Sequence, residues 1–314
     1  MGMLRDGIWT DDWYDTARTA GRFVREDSTF RGEVTADGSS GFPAAAGRYH
    51  LYVSLACPWA HRVLIVRALK RLDAAIGVTV VEPVWGPEGW TLAVPDAHEG
   101  ARHLHQLYTV AQPNYTGRAT VPILWDTVTR TIVCNESSVL MRTLNRAFDA
   151  FGDPTVDLYP EPLRADIDAV NALVYERVNN GVYRTGFATT QAAYEEAFDA
   201  LFEALDELEA RLGRQAFLVG DQPTEADWRL FTTLVRFDSV YYGHFKCNLR
   251  RLVDYPALWA YTRALCQVPG VAETVDLDHI KRHYYGSHPR LNPSGVVPKG
   301  PLVDLPGVRG ACAR

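Results

Sequence analysis

The spacing of apolar positions changes once along this 314-residue chain, near residue 160. Upstream, short apolar runs alternate with polar breaks; downstream, the apolar residues recur at helical intervals. Tyr49 to Leu55, rich in Tyr, Leu and Val, predicts a strand. Ala56-Cys57-Pro58 interrupts it, and Trp59 to Leu72 predicts a helix. That helix is apolar on much of its surface (Val63, Leu64, Ile65, Val66, Ala68, Leu69), as a buried helix is. Val78 to Glu82 predicts a second strand. A connection over 83–118 follows, longer than the roughly 12–15 residues beyond which a connection is usually functional or disordered. Thr120 to Trp125 and Arg130 to Val133 predict a hairpin turning at 126–129. Asn135-Glu136-Ser137-Ser138 can open the next helix, through Leu140, Met141 and Leu144.

Strand, helix, strand, long crossover, hairpin, helix is the order of a thioredoxin-like α/β domain. After Gly152, Pro154, Pro160 and Pro162 the pattern becomes all-helical: Leu163–Val178, Gln191–Leu212, Thr224–Tyr242 and Pro256–Val268. Thr224-x-x-Asp227 after Pro223 marks a helix start. The predicted fold class is therefore an α/β thioredoxin-like N-terminal domain plus an all-α C-terminal domain. The expected divisions are an irregular N-terminal arm over 1–48 anchored by Trp9, Trp13 and Phe30, the α/β domain over 49–150, the helical domain over 151–286, and a Pro- and Gly-rich tail over 287–314.

Composition narrows the class. With 47% hydrophobic and 22% charged residues the chain reads as globular. A net charge of −6 leaves no basic surface for a phosphate backbone, so a nucleic-acid partner is not expected. No apolar run of about 18 residues predicts a membrane span. The first residues lack a secretory apolar region, and Gly2 is followed by Asp6 where a myristoylation signal has Ser or Thr. A cytoplasmic protein is expected. The five cysteines (57, 134, 247, 266 and 312) include no C-x-x-C pair, which points to reduced thiols rather than a disulfide framework.

One of those thiols stands in a reactive context. Cys57 falls between a strand and a helix, where unpaired amides and the positive end of the helix dipole favour an anion. Such positions lower a thiol from about 8.5 to roughly 3.5–7.5. Pro58 suits the first helical position because its missing N–H would be unpaired there anyway. Ala60 stands where a dithiol oxidoreductase has its second cysteine, so a mixed disulfide at Cys57 needs an external thiol to resolve it. Pro122, at the start of a strand, is the second element; in thioredoxin-like folds this proline is cis and frees the preceding backbone for an extended peptide. Glu136-Ser137 is the third: a Ser hydroxyl and amides at a helix start suit a carboxylate, and Glu136 suits an ammonium. Each alone has an ordinary reading as core cysteine, edge-strand proline or helix cap. Glu136 and Ser137 together fit the zwitterionic γ-glutamyl end of glutathione, and the three elements in this order are much more specific than any one.

The chain resembles the glutathionyl-hydroquinone reductases, the Xi class of glutathione transferases. The matching stretches are Ser54 to Arg62 (SLACPWAHR), Gly117 to Pro122 (GRATVP), Asn135-Glu136-Ser137, Val178 to Tyr183 (VNNGVY), Thr224-Glu225-Ala226-Asp227, Leu234 to Asp238 with Tyr241, His244-Phe245-Lys246-Cys247, Asp278 to Tyr284 (DHIKRHY) and Asn292-Pro293. The resemblance implies the glutathione transferase architecture, glutathione as co-substrate, a homodimer and a two-step thiol exchange on Cys57. It implies that Trp90, Arg118, Ala119, Thr120, Val121, Glu136 and Ser137 hold glutathione. It makes Tyr183 the proton donor and acceptor, and Tyr241 and Tyr284 the residues that lower the cysteine pKa. Trp85 shares the connection with Trp90; Trp90 is favoured because it follows Gly89.

Two other function classes remain open in the sequence. An omega-like thioltransferase or dehydroascorbate reductase would use the same Cys-Pro site without needing the three tyrosines. A non-catalytic thiol-binding or redox-sensing protein would keep the fold but not need an intact Cys57. No metal is expected: His279 and His283 stand four apart but lack the glutamate of H-E-x-x-H, and His244-x-x-Cys247 has no second pair.

Overall fold

A computed structural model describes residues 2–311; Cys312 lies outside the described residues. The chain forms two compact units, one of Met1–Trp13 with Asp27–Val156 and one of Tyr14–Glu26 with Asp157–Arg314. The first 48 residues are thus divided between the units rather than forming one arm.

The first unit opens with a small hairpin, β1 (Met3–Arg5) and β2 (Ile8–Thr10). Leu4 and Gly117 exchange both backbone hydrogen bonds, at 2.8 and 2.9 Å, and so tie the hairpin to the segment before Pro122. The main elements are β3 (Tyr49–Val53), α1 (Pro58–Leu69), β4 (Ile76–Val80), α2 (Leu104–Ala111), β5 (Ile123–Asp126), β6 (Thr131–Cys134) and α3 (Ser137–Arg146). The sheet order is β4-β3-β5-β6, with β3 and β4 parallel and the other pairs antiparallel. Every residue of β5 is buried, as expected of a central strand covered on both faces.

Three details differ from the sequence expectations. The third strand starts at Ile123 rather than Thr120. Pro122 has no N–H to donate to a ladder, and both backbone groups of Thr120 are taken by the Tyr108 hydroxyl. The second strand ends at Val80, because Glu82 N–H turns to Thr91 O at 2.8 Å. The long connection contains α2, two turns that bury Leu104, Leu107 and Tyr108 on one face.

The second unit holds α4 (Arg164–Leu173), α5 (Gly181–Phe187), α6 (Gln191–Leu212), α7 (Glu225–Leu234), α8 (Pro256–Cys266) and α9 (Leu277–Ser287). Two of the expected long helices are broken by wider, π-helical turns, Val174–Asn179 after α4 and Phe237–Tyr241 after α7. Such turns occur often at functional sites, and here they lead into Tyr183 and Tyr241. The start of α7 is capped reciprocally: Asp227 Oδ2 accepts Thr224 N–H at 2.7 Å, while Oδ1 accepts Leu218 N–H and the Tyr261 hydroxyl, each at 2.8 Å. The segment after α9 is irregular but held down. Leu277 N–H donates to Arg309 O at 3.0 Å, and Val303, Leu305 and Val308 are buried. No described helix is long and apolar enough to cross a membrane.

Candidate active site

Cys57 is the N-cap of α1, in extended conformation, with Pro58 at the first helical position. Its Sγ lies 3.5 Å from the Ala60 amide, which donates to it, and 3.4 Å from Val121 O, to which the thiol can donate. The amide favours the thiolate and the carbonyl favours the thiol, so loss of the proton gives up the carbonyl bond and strengthens the one from the amide. Cys57 is partly exposed, whereas Cys134, Cys247 and Cys266 are buried. Burial pushes Cys134 and Cys266 up to about 12 and pushes Cys247 up further still. Among the described cysteines, Cys57 alone combines access with an anion-stabilising position.

The Val121–Pro122 peptide is cis. Behind it, the Tyr108 hydroxyl joins two segments of the site. It donates to Thr120 O at 2.8 Å and accepts from Thr120 N–H and Asn135 Nδ2, both at 3.1 Å. The Thr120-Val121 edge is therefore bonded through one buried phenol to the residue preceding Glu136. Tyr108 was not singled out in the sequence; it sits in a helix whose two turns are hidden within a Gly- and Pro-containing connection.

Glu136 caps α3. Its Oε1 accepts the Ser138 amide at 3.0 Å and the Ser138 hydroxyl at 2.9 Å, and its Oε2 accepts the Ser28 hydroxyl at 3.1 Å. Burial alone would raise this carboxyl, but those donors and the charge of Arg62 outweigh it and hold Glu136 below the ordinary glutamate range. An ionised, half-buried carboxylate beside the buried Ser137 results. Ser28 and Arg62 are contributors that the sequence reading did not single out. Arg62 is buried in α1 with its guanidinium over the Trp59 ring at 4.5 Å.

Arg118 is buried rather than solvated, and its Nη1 donates to Gly2 O (3.3 Å) and Asp12 O (3.0 Å). It thereby holds the N-terminal segment against the strand edge that continues through Ala119 to Val121. Trp90 is nine-tenths buried and meets the Trp85 indole edge-on at 5.4 Å.

In the second unit the structure brings the three tyrosines together. The Tyr183 and Tyr284 hydroxyls are 2.6 Å apart, and those of Tyr241 and Tyr284 are 3.1 Å apart. Burial pushes both Tyr241 and Tyr284 well above the usual phenol range, so they remain O–H donors at neutral pH. Each hydroxyl can both donate and accept, so the three form one hydrogen-bonded cluster. Phe245 stacks on Tyr241 at 5.5 Å, and Arg25 lies over the Tyr183 ring at 4.9 Å. His279 and His283 are buried on α9, where His283 Nδ1 meets the Ser287 hydroxyl at 3.3 Å.

The chain matches two family models, the glutathione S-transferase N-terminal domain over residues 56–147 and the C-terminal domain over 191–264. It is 56% identical to the glutathionyl-hydroquinone reductase PcpF of Sphingobium chlorophenolicum, over 98% of this chain and 99% of that one. It is 50% identical to the glutathionyl-hydroquinone reductase YqjG of Escherichia coli, over 100% and 99% of the two chains. The glutathione-bound structure of the latter superposes with a TM-score of 0.87, covering 97% of each chain at 48% identity. An Xi-class glutathione transferase from Natrialba magadii superposes with a TM-score of 0.91 at 46% identity, covering 98% of this chain and 95% of that one. With both domains matched and the likeness running nearly end to end, the chain belongs to the glutathione transferase family, in its Xi class of glutathionyl-hydroquinone reductases.

Proposed function

We propose that the protein reduces glutathionyl-hydroquinones to hydroquinones with glutathione, through a Cys57–glutathione mixed disulfide. In the first step the Cys57 thiolate attacks the substrate sulfur. An S–S bond forms, the carbon–sulfur bond breaks with its electron pair going to the ring carbon, and that carbon takes a proton. In the second step a glutathione thiolate attacks the mixed disulfide, releasing oxidised glutathione and the Cys57 thiolate. The sum is glutathionyl-hydroquinone plus glutathione giving hydroquinone plus oxidised glutathione, with the thiol proton of glutathione ending on carbon.

The observation that carries this reading over simple thiol transfer is the hydrogen-bonded chain Tyr183–Tyr284–Tyr241. Exchange between thiols and disulfides needs no proton on carbon, whereas cleavage of a carbon–sulfur bond does. In this reading Tyr183 moves that proton, and Tyr241 and Tyr284 favour the thiolate as O–H donors. Glu136 takes the γ-glutamyl ammonium, Ser137 and the α3 amides take its carboxylate, and Thr120 and Val121 present backbone to the peptide. Trp90 and Ala119 complete the glutathione contacts. Arg118 acts largely through the N-terminal segment it holds. A homodimer in the cytoplasm completes the reading. Light scattering at micromolar concentration should give twice the 35.1 kDa chain mass, and a mass near one chain would contradict the dimer.

The steady-state test sets a glutathionyl-hydroquinone against dehydroascorbate and a low-molecular-weight disulfide at equal glutathione. Hydroquinone and oxidised glutathione should appear one for one, and the glutathionyl-hydroquinone should have the highest kcat/KM. Preference for dehydroascorbate would favour the omega-like alternative, and no turnover of any of them would favour a binding or sensing role.

A further inference from the structure

We propose that Glu88, His103 and His105 form a binding site for a divalent ion of the zinc class, set between the loop after β4 and the first turn of α2. Among the described residues these three are the one group of His, Cys, Asp or Glu side chains whose ligand atoms all lie within 4.8 Å of one another. His105 Nε2 already meets Glu88 Oε2 at 2.8 Å, and the two imidazoles stand nearly parallel at 5.5 Å. His103 is the N-cap of α2 and forms a capping box with Gln106, whose Oε1 accepts the His103 amide at 3.0 Å, so the residue is fixed at the helix start beside His105.

The surroundings fix the ligands from three directions. Glu88 stands in a tight turn closed by Gly86 and Gly89, whose backbones exchange hydrogen bonds at 2.9 and 3.1 Å. Gly89 has φ +75°, and a Cβ there would come within 2.8 Å of the Trp9 ring. Trp9 in turn stacks on His105 at 5.0 Å and directs its Nε1 toward Pro87 O at 3.3 Å. Leu104 N–H, between the two histidines, donates to Trp90 O at 2.9 Å. Two neutral imidazoles and one carboxylate are a donor set suited to zinc, with a fourth position left for water. Tetrahedral zinc needs ligand atoms roughly 3.4 Å apart. The flexible Glu88 side chain, half exposed, can supply most of the remaining closure. An ion held here would pin the Gly86–Gly89 turn, and with it Trp90, to the start of α2. The site does not depend on what Trp90 binds.

The test uses the full, untagged chain carrying Cys57→Ala, so that the reactive thiol does not capture the metal. Zinc is titrated against a chromophoric chelator, and cobalt absorption reports coordination geometry. The expected result is one zinc per chain and a tetrahedral cobalt spectrum. Glu88→Gln should weaken affinity at least about tenfold, and His103→Gln with His105→Gln should abolish the cobalt spectrum. Glu88→Gln alters an exposed side chain, so its effect is readable even where the double histidine variant fails to fold. No stoichiometric zinc, or zinc affinity unchanged by Glu88→Gln, would overturn the site and leave a His105–Glu88 hydrogen bond.

Discussion

Replacing Cys57 by Ala should reduce turnover of a glutathionyl-hydroquinone by at least about 1,000-fold while the chain stays folded, because no other described cysteine can take its place. A thiol held near 12 is ionised in roughly one molecule in 100,000 at pH 7. Cys134 and Cys266 are held there by burial, and Cys247 is buried more deeply. Alanine does remove the side-chain cap of α1, an interaction worth about 0.5–2 kcal/mol for good capping residues and here made by sulfur at 3.5 Å. Cys57→Ser separates the two roles. Serine restores a capping oxygen but not a competent nucleophile, so the Ser variant should melt near the wild-type temperature and be as inactive as the Ala variant. Rates from a coupled assay, beside thermal melts of both variants, check this. Loss of activity in a folded Cys134→Ala or Cys247→Ala variant would show that Cys57 does not act alone.

The second large effect is expected at the tyrosines. Tyr183→Phe should slow hydroquinone release about 100-fold, the lower end of what a positioned proton donor contributes. Binding of glutathione, and reduction of a preformed Cys57–glutathione disulfide by free glutathione, should change little, since neither protonates carbon. Tyr284→Phe is expected to act more broadly. Its hydroxyl is the middle member of the trio, so its loss breaks both the 2.6 Å and the 3.1 Å bonds. That removes the 3.1 Å partner of the buried Tyr241 hydroxyl, a loss of about 0.5–1.5 kcal/mol. In the proposed mechanism Tyr241→Phe and Tyr284→Phe also remove O–H donors to the thiolate and so raise the Cys57 pKa. The pH dependence of Cys57 alkylation in the three variants, beside their turnover, measures both effects. Wild-type rates and alkylation profiles in all three would reduce the tyrosines to core packing and favour the thioltransferase reading.

Much of the fold is legible in the chain because its signals are local. Gln191–Leu212 is found with both ends in place: Thr190 caps it, Gly213 follows it, and apolar positions recur along 22 residues. Cys57 and Glu136 are N-caps, as strand–Cys–Pro–helix and Asn-Glu-Ser-Ser imply. What escaped the sequence reading depends on contacts between distant segments. The π-helical turns after α4 and α7 carry ordinary helical periodicity, but Asn179 reaches across to Arg229 O and the Thr233 hydroxyl at 3.0 and 2.7 Å. The helix α2 is too short for its spacing to stand out from a Gly- and Pro-containing connection. The arm reads as irregular, yet Ser28 bonds Glu136 while Arg22 pairs with Glu196, so its middle segment, Tyr14–Glu26, belongs to a different unit from the rest. The burial of Arg118 is not legible because its partners are backbone carbonyls of the N-terminal segment, which no side-chain pattern encodes. Glu88 and His103, 15 residues apart, share no motif spacing; the turn at Gly86–Gly89 is what brings them together.

The central claim, a glutathione disulfide on Cys57 formed by cleavage of a carbon–sulfur bond, is tested most directly by a single turnover without free thiol. The chain is mixed with excess glutathionyl-hydroquinone, quenched in acid and analysed by intact mass and peptide mapping, with hydroquinone quantified in the same sample. The account predicts one hydroquinone released per chain and one glutathione attached to Cys57, which then leaves as oxidised glutathione when glutathione is added. Hydroquinone released without an adduct, or a disulfide between Cys57 and another cysteine of the chain, would contradict it.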